Sequence, residues 1–292
     1  MLAAPTGGGK TGICVRLNPD FFEVVSVDSR QAYQFLNIGT AKPEKSEQAA
    51  IPHHLIDFIH PKDDINARMY SENIRSCVLD ILKRNKTPIL TCGTGFYLRA
   101  FLKGMYPVPE IKREITEKIE NLSSAEKWAL LNELDPEAGK SLNEQDIYRV
   151  ERALAINLAG KKWSELRPEG GFTAEFPEIQ TVSVWVEWDR KELYERINER
   201  SAEMIRKGMP EEAEEAAEKF GEDCPALKTL GYNFALDYIR GKISLDSLKD
   251  NLAQSHRNYA KKQITWFRAE EMVYRLNWQD ALNLLQNTKR DG

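Results

Sequence analysis

Gly9-Lys10-Thr11, preceded by Ala4-Pro5-Thr6-Gly7-Gly8, constrains this chain more than any other stretch. The run fits the phosphate-loop pattern of glycine, four residues, then Gly-Lys-Ser/Thr, except that Ala4 stands where the first glycine belongs. Such a loop turns several backbone N–H groups toward one anion, which requires positive φ and no side chains in the way. Gly7, Gly8 and Gly9 supply that freedom. Lys10 then lies against phosphate oxygens, Thr11 ligates a magnesium ion, and the helix starting near Thr11 points its positive end at the ligand. Loops of this kind follow a buried parallel strand, so the expected fold is α/β, a P-loop NTPase-like parallel sheet core. Only Met1, Leu2 and Ala3 come before the loop, which predicts either a stub of a central strand or a start from which strand residues are missing.

The pattern downstream extends the sheet. Glu23 to Val27 is a valine-rich run ending in Asp28, read as a buried parallel strand with a carboxylate at its C-terminal edge, where ligands bind in open α/β sheets. His53 to Asp57 reads as a short strand with polar ends. Asn66 to Arg84 has helical spacing, and Pro88 to Cys92 is another strand. It runs into Gly93-Thr94-Gly95, a second glycine turn at the same sheet edge. Residues 1–107 are therefore assigned to the core. The chain then becomes charged and helix-forming, with Glu114 to Leu134 and Asp146 to Leu158 as helices and Pro136 as a break, so 108–177 is read as a helical insertion. Residues 178–292 return to the core, with a strand in Ile179 to Glu187, a helix from Lys191 to Lys207 and a long basic helix from Leu245 to Glu271.

Composition removes several classes. With 41% hydrophobic and 29% charged residues and no apolar run of spanning length, the 292-residue chain carries no membrane signature, and a cytoplasmic location is expected. Four scattered cysteines, Cys14, Cys77, Cys92 and Cys224, argue against a zinc module or a disulfide framework. A net charge of −4 is no global nucleic-acid signature. The charge is uneven, however. Glu211, Glu212, Glu214, Glu215, Glu218, Glu222 and Asp223 read as a solvated helix face, whereas Arg257, Lys261, Lys262 and Arg268 form a basic segment that is either another solvated face or, as Trp266 and Phe267 among them favour, an RNA-tracking surface, although tryptophan at helical spacing is more often core.

Several separated motifs agree, and together the chain resembles the tRNA dimethylallyltransferase (isopentenyltransferase) family. The matching pieces are Pro5-Thr6 with Gly9-Lys10-Thr11, Asp28-Ser29-Arg30-Gln31 with Tyr33, Ile38 to Pro43, His53 to Asp57, and Gly93-Thr94-Gly95 with Tyr97 to Ala100. Further on come Arg149-Val150 with Arg152-Ala153-Leu154, Leu230-Gly231-Tyr232, and Tyr259 to Gln263 with Thr265 to Arg268. The resemblance implies transfer of a dimethylallyl group from its diphosphate to the exocyclic amine of the adenosine just 3′ of the anticodon in tRNA. It assigns catalysis to Asp28, Thr94 and Lys10. It assigns the diphosphate to Pro5, Thr6, Gly7, Gly8, Gly9, Lys10, Thr11 and Lys228, the last standing where some members have an arginine. It assigns tRNA to Asp28, Ser29, Arg30, Gln31, Thr94, Lys112, Tyr148, Arg149, Val150, Glu151, Arg152, Arg257, Lys261, Lys262 and Arg268. Mg²⁺ on Thr11 is the implied cofactor. The implied partners are the tRNA anticodon stem-loop and dimethylallyl diphosphate, with the chain acting as a monomer.

The chemistry is consistent with these residues. An aromatic amine is a weak nucleophile, so a carboxylate that accepts its proton is useful, and Asp28 matches that position. From the residues alone, a valine-rich strand ending in aspartate serves equally to hold magnesium, and the Ser29-Arg30-Gln31 that follows inclines the reading to the base. His53 and His54 lack a third metal partner. Thr94 could also cap a helix. Two other functions stay open at this point: an ATP-dependent small-molecule kinase using Lys10 and Thr11, and a tRNA-binding protein with a vestigial loop.

Overall fold

A computed structural model describes residues 1–270 and 272–288. The chain divides into two compact units, Leu102–Phe176 and the remainder.

The larger unit is built on a six-stranded parallel sheet. Its elements begin with β1 (Leu2–Ala3), α1 (Lys10–Cys14), β2 (Phe22–Val27), α2 (Lys45–Ala50), β3 (His53–His54), α3 (Ala67–Lys83), β4 (Thr87–Cys92) and α4 (Gly95–Lys103). All six residues of β2 are buried, as a strand covered on both faces requires. Helix α3 starts where the Asn66 side chain accepts the Met69 N–H at 2.9 Å, and it buries Ala67, Tyr70, Ile74, Val78 and Ile81 along one stripe. The strand expected over His53 to Asp57 stops after His54, because Leu55 and Asp57 both take positive φ. That turn brings Asp57 onto the buried Lys42, which also donates to Tyr33 O at 2.5 Å.

The smaller unit contains β5 (Gly104–Met105), α5 (Arg113–Glu120), α6 (Ser124–Leu134), α7 (Pro136–Ser141), α8 (Ile147–Leu158), β6 (Glu169–Gly170) and α9 (Phe172–Glu175). Its core gathers Leu131, Ala138, Val150 and Ala153 beside a second cluster around Ile119 and Leu154. The antiparallel β5–β6 ladder draws Leu102 to Pro107 into this unit, ahead of the change in composition at 108. Pro136 begins a helix and does not simply break one. It sits in the first turn of α7, where its missing N–H costs nothing, behind Asp135, whose side chain accepts the Ala138 N–H. The single helix expected over Glu114 to Leu134 is two, divided at a Ser123–Glu126 capping box.

The chain returns to the larger unit with β7 (Val184–Val186), α10 (Arg190–Arg206), α11 (Met209–Phe220), α12 (Tyr232–Ile239), α13 (Leu245–Arg268), β8 (Tyr274–Leu276) and α14 (Trp278–Asn287). The sheet order is β3-β2-β4-β1-β7-β8, so the two-residue β1 lies at the centre. Leu2 and Ala3 pair with Thr91 and Cys92 on one side and with Val184 and Trp185 on the other, and a stub is enough to bridge β4 and β7. Glu271, the expected end of the basic helix, and the last four residues of the 178–292 segment lie outside the described residues.

Two acids were placed by packing. Glu212 is not on the solvated face of α11. Its buried carboxylate accepts the N–H groups of Asn37, Ile38 and Gly39 at 2.6, 2.9 and 3.0 Å and the Tyr232 hydroxyl at 2.6 Å, which fixes the 37–39 loop. Glu23, on β2 and only 4% exposed, meets Arg84 at 2.6 Å, His54 at 2.7 Å and Lys86 at 3.1 Å. Burial pushes its carboxyl up, but hydrogen bonds from Arg84, His54 and Lys86 outweigh that and bring it from 4.5 down to about 2. A depressed carboxylate stabilises the fold above its unfolded value and loses that contribution as pH falls through the folded one. The gap corresponds to at most ~3 kcal/mol, less screening through Arg84. In denaturant titrations, wild type is therefore expected to exceed Glu23→Gln near neutrality, with the advantage shrinking between pH 4.5 and about 2. A gap constant across that window would show that charge is not its source.

Candidate functional site

The phosphate loop forms between β1 and α1 with the expected backbone. Gly7 and Gly9 take φ of +77° and +79°, a region in which a side chain would be strained. Ala4 in place of glycine is absorbed by Gly8. A Cβ at residue 8 would stand 2.9 Å from the Ala4 methyl and 2.8 Å from Pro5 O, so Gly8 is what leaves room for the exchange. The loop closes through Gly8 N–H to Pro5 O at 2.9 Å, and Lys10 Nζ donates to Ala4 O at 3.1 Å. The N–H groups of Gly7, Gly9, Lys10 and Thr11 have no hydrogen-bond partner among the described residues, and they converge as an anion-binding concavity. Because α1 has only five residues, these amides and nearby cations matter more here than a helix dipole.

A cavity of about 780 Å³ opens over the loop, lined by Thr6 to Thr11, Asp28, Gln31, Thr40 to Lys45, Gly93, Arg196, Arg200, Tyr259 and Gln263, among others. The strand-edge carboxylate and the loop lysine are brought together at Gly93. A Cβ there would lie 3.7 Å from Asp28 Oδ2 and 3.8 Å from Lys10 Nζ, ordinary contacts, and 3.1 Å from Gln263 Nε2, so a side chain at this position would crowd Gln263 first. Burial holds Lys10 below the ordinary lysine range, with Asp28 opposing and Arg200 reinforcing that shift. Asp28 Oδ1 accepts the Arg30 N–H at 3.0 Å.

Several participants were not singled out from the sequence. Helices α10 and α13 pack through Leu193, Ile197 and Ala260, and that contact delivers three of them. Arg200 Nη1 donates to Thr6 Oγ1 at 2.8 Å. Burial lowers its guanidinium from the usual range while Asp28 pulls it back. Gln263 accepts the Thr6 N–H at 2.7 Å and donates to Gly93 O at 2.6 Å, tying the two glycine turns together. Tyr259 meets the Thr94 hydroxyl at 2.9 Å. Burial, with Asp28 nearby, pushes its phenol up to about 12, so it stays neutral. Thr94 is thus tied to Tyr259, which lines the cavity.

Other expected site residues are placed differently. Lys228 is exposed on a 3₁₀ turn (Pro225–Lys228) and does not line the cavity, and Arg196 and Arg200 are the added cations at the loop. Ser29 is buried, Arg30 is exposed, and Gln31 is engaged internally, accepting from the Ser26 hydroxyl at 2.8 Å and donating to Ala41 O at 3.0 Å. In the smaller unit, Lys112, Arg149 and Arg152 are exposed and Tyr148 is 77% exposed, whereas Val150 is wholly buried and cannot touch RNA. Glu151 is bonded to Lys127 at 2.7 Å. On α13, Lys261, Lys262 and Arg268 are exposed, and Arg257 is half-buried and bonded to Asn198 and Gln254. Phe267 is buried against Trp185, and Trp266 lies between Gly95 and the Arg99 guanidinium. Neither ring offers the free stacking face expected of it. His53 and His54 are spent on Ile51 O and Glu23.

The donor set bears on magnesium. Among the described residues no group of three His, Cys, Asp or Glu gathers to hold a metal. Mg²⁺ commonly keeps waters and shares phosphate oxygens with very few protein ligands, and the Thr11 hydroxyl beside a phosphate loop fits that pattern.

A family model described as IPP transferase matches residues 31–270. The tRNA dimethylallyltransferase of Leptospira interrogans is 46% identical over 292 residues, covering 99% of this chain and 98% of that one, so the similarity includes the loop and Asp28. The full-length tRNA isopentenylpyrophosphate transferase of Bacillus halodurans superimposes with a TM-score of 0.70 at 27% identity, over 98% of this chain and 94% of that one. A eukaryotic dimethylallyltransferase acting on tRNA shares the fold, with a TM-score of 0.78 at 23% identity over 91% of this chain and 68% of its own.

Proposed function

This chain belongs to the IPP transferase family of tRNA dimethylallyltransferases, and from that membership we propose how its own residues carry the reaction. It is a prenyltransferase that modifies tRNA by dimethylallyl transfer. Dimethylallyl diphosphate docks its phosphates on the open amides of Gly7, Gly9, Lys10 and Thr11, between Lys10 and Arg200. Thr11 would hold Mg²⁺ there, and the bound ion would help neutralise the departing diphosphate. The adenosine next to the anticodon leaves its stack and enters past Thr94 and Tyr259. Its exocyclic nitrogen attacks the first carbon of the donor, the carbon–oxygen bond to diphosphate breaks, and Asp28 accepts the amine proton.

The observation that carries this reading is that Asp28 Oδ2 and Lys10 Nζ lie 3.7 and 3.8 Å from the position a Cβ on Gly93 would take, which sets a proton acceptor and a phosphate cation in the same part of the cavity. Exposed Lys112, Tyr148, Arg149, Arg152, Lys261, Lys262 and Arg268 are the groups proposed to hold tRNA. The chain is proposed to act as a single copy, and in the cytoplasm, where its tRNA substrate is used.

Incubation with unmodified tRNA, labelled dimethylallyl diphosphate and magnesium is expected to label the tRNA equally with and without ATP. Label that requires ATP, or ATP consumption without label, would overturn the mechanism.

A further inference from the structure

Three successive carbonyls of the phosphate loop each accept a side-chain hydrogen bond, the second and third from rings that do not line the cavity. Arg196 Nε donates to Gly7 O at 3.0 Å, Trp188 Nε1 to Gly8 O at 3.1 Å, and Trp278 Nε1 to Gly9 O at 3.0 Å. A trans peptide unit is planar, with its C=O and the next N–H pointing in opposite directions. Pinning one carbonyl outward therefore aims the following N–H inward. The Gly7 carbonyl governs the Gly8 N–H, which is already spent on Pro5 O. The Gly8 and Gly9 carbonyls govern the N–H groups of Gly9 and Lys10, two of the four left open in the cradle; Gly9 O also accepts the Ile13 N–H at 3.2 Å, so Trp278 shares that carbonyl with α1.

Both tryptophans are themselves braced. The Arg196 guanidinium lies 4.5 Å from the Trp188 ring centre, and that of Arg16 lies 5.2 Å from the Trp278 ring. Trp278 opens α14 behind Asn277, whose side chain accepts the Asp280 N–H at 2.9 Å, so the ring is presented by a capped helix. The approach depends on Gly9, because a Cβ there would stand 2.8 Å from Trp278 Nε1. Neither indole reaches into the loop's anion-facing side; each acts through a peptide plane.

We propose that Trp188 and Trp278 are positioning residues for the donor diphosphate, each fixing one loop peptide so that the Gly9 and Lys10 amides face the anion before it arrives. The inference rests on the donor site proposed above and adds the device that preorganises it. Amides already aligned need no reorientation when the diphosphate binds.

The test is Trp188→Phe and Trp278→Phe in the full chain, which keep an aromatic ring under each arginine and remove the indole N–H together with part of the ring. Each is expected to weaken calorimetric binding of inorganic diphosphate, and to raise the KM for dimethylallyl diphosphate, by about three- to ten-fold. The KM for tRNA should stay within about two-fold in the same variants, because the lost bond lies on the donor side. Trp185→Phe, in a buried ring stacked on Phe267 elsewhere in the larger unit, is the packing control and should leave diphosphate binding at the wild-type level. Unchanged diphosphate affinity in both loop variants would overturn the inference, as would a loss matched by Trp185→Phe or by an equal rise in the tRNA KM. Wild-type protein that fails to bind diphosphate would overturn the donor site itself, a result distinct from either.

Discussion

Asp28→Ala is expected to lower the rate of dimethylallyl transfer by about 10²–10⁴-fold, the range a positioned general base supplies. The carboxylate ends a fully buried strand, so the sheet holds it at the strand's C-terminal edge, and the Arg30 N–H fixes one oxygen. Its other oxygen lies near Gly93 beside Lys10. If the role is proton acceptance, diphosphate binding in magnesium should survive the substitution, and the loss should fall on turnover. If Asp28 holds the metal, donor affinity should fall together with the rate. Single-turnover transfer measured alongside diphosphate binding separates the two. Near-normal turnover would remove Asp28 from the chemistry.

How much of this site was legible depends on whether a function is written locally. The glycine loop, the strand ending in Asp28 and the Gly93-Thr94-Gly95 turn each combine a backbone requirement with a side chain in a few adjacent residues, and all three stand at the sheet edge as expected. Arg200, Gln263, Trp188 and Trp278 reach the loop from elements some 180 to 270 positions away, and only tertiary packing decides which way they face. A partial signal existed. Arg200 falls on the stripe of Leu193, Ile197 and Met204, and Gln263 on that of His256, Ala260 and Phe267. A polar residue on a buried stripe has to find a partner.

The same argument explains the displaced assignments. Glu212 shares a face with Met209, Ala213 and Ala216, so it was bound for the interior despite its acidic neighbours. Val150 belongs to a contiguous motif on α8, but a helix cannot turn four successive residues to one surface, and Val150 faces the core beside Ala153. Lys228 failed for a different reason. Charge at a motif position was carried over without the turn that holds it, and the 3₁₀ turn exposes the side chain.

Lys10→Met is the second large loss, expected at about 10²–10³-fold in transfer, the cost of removing one preorganised charged donor from a developing anion. Unlike Asp28→Ala, it should weaken diphosphate binding as well, since at the proposed donor site the ammonium faces the phosphates in both ground state and product. The environment adds a pH signature. Burial and Arg200 hold Lys10 below the ordinary lysine value of 10.5 in the free protein. An incoming diphosphate favours the charged form and raises it again, so binding is linked to proton uptake at alkaline pH. Diphosphate affinity is therefore expected to be full where Lys10 is already protonated and to fall as pH rises through its lowered value. Lys10→Arg, which stays charged throughout, should flatten that decline even if its longer fork binds less well. Calorimetric titrations of inorganic diphosphate from neutral to alkaline pH read this directly. Parallel declines in wild type and Lys10→Arg would show that another group carries the pH dependence and would detach Lys10 from the phosphates.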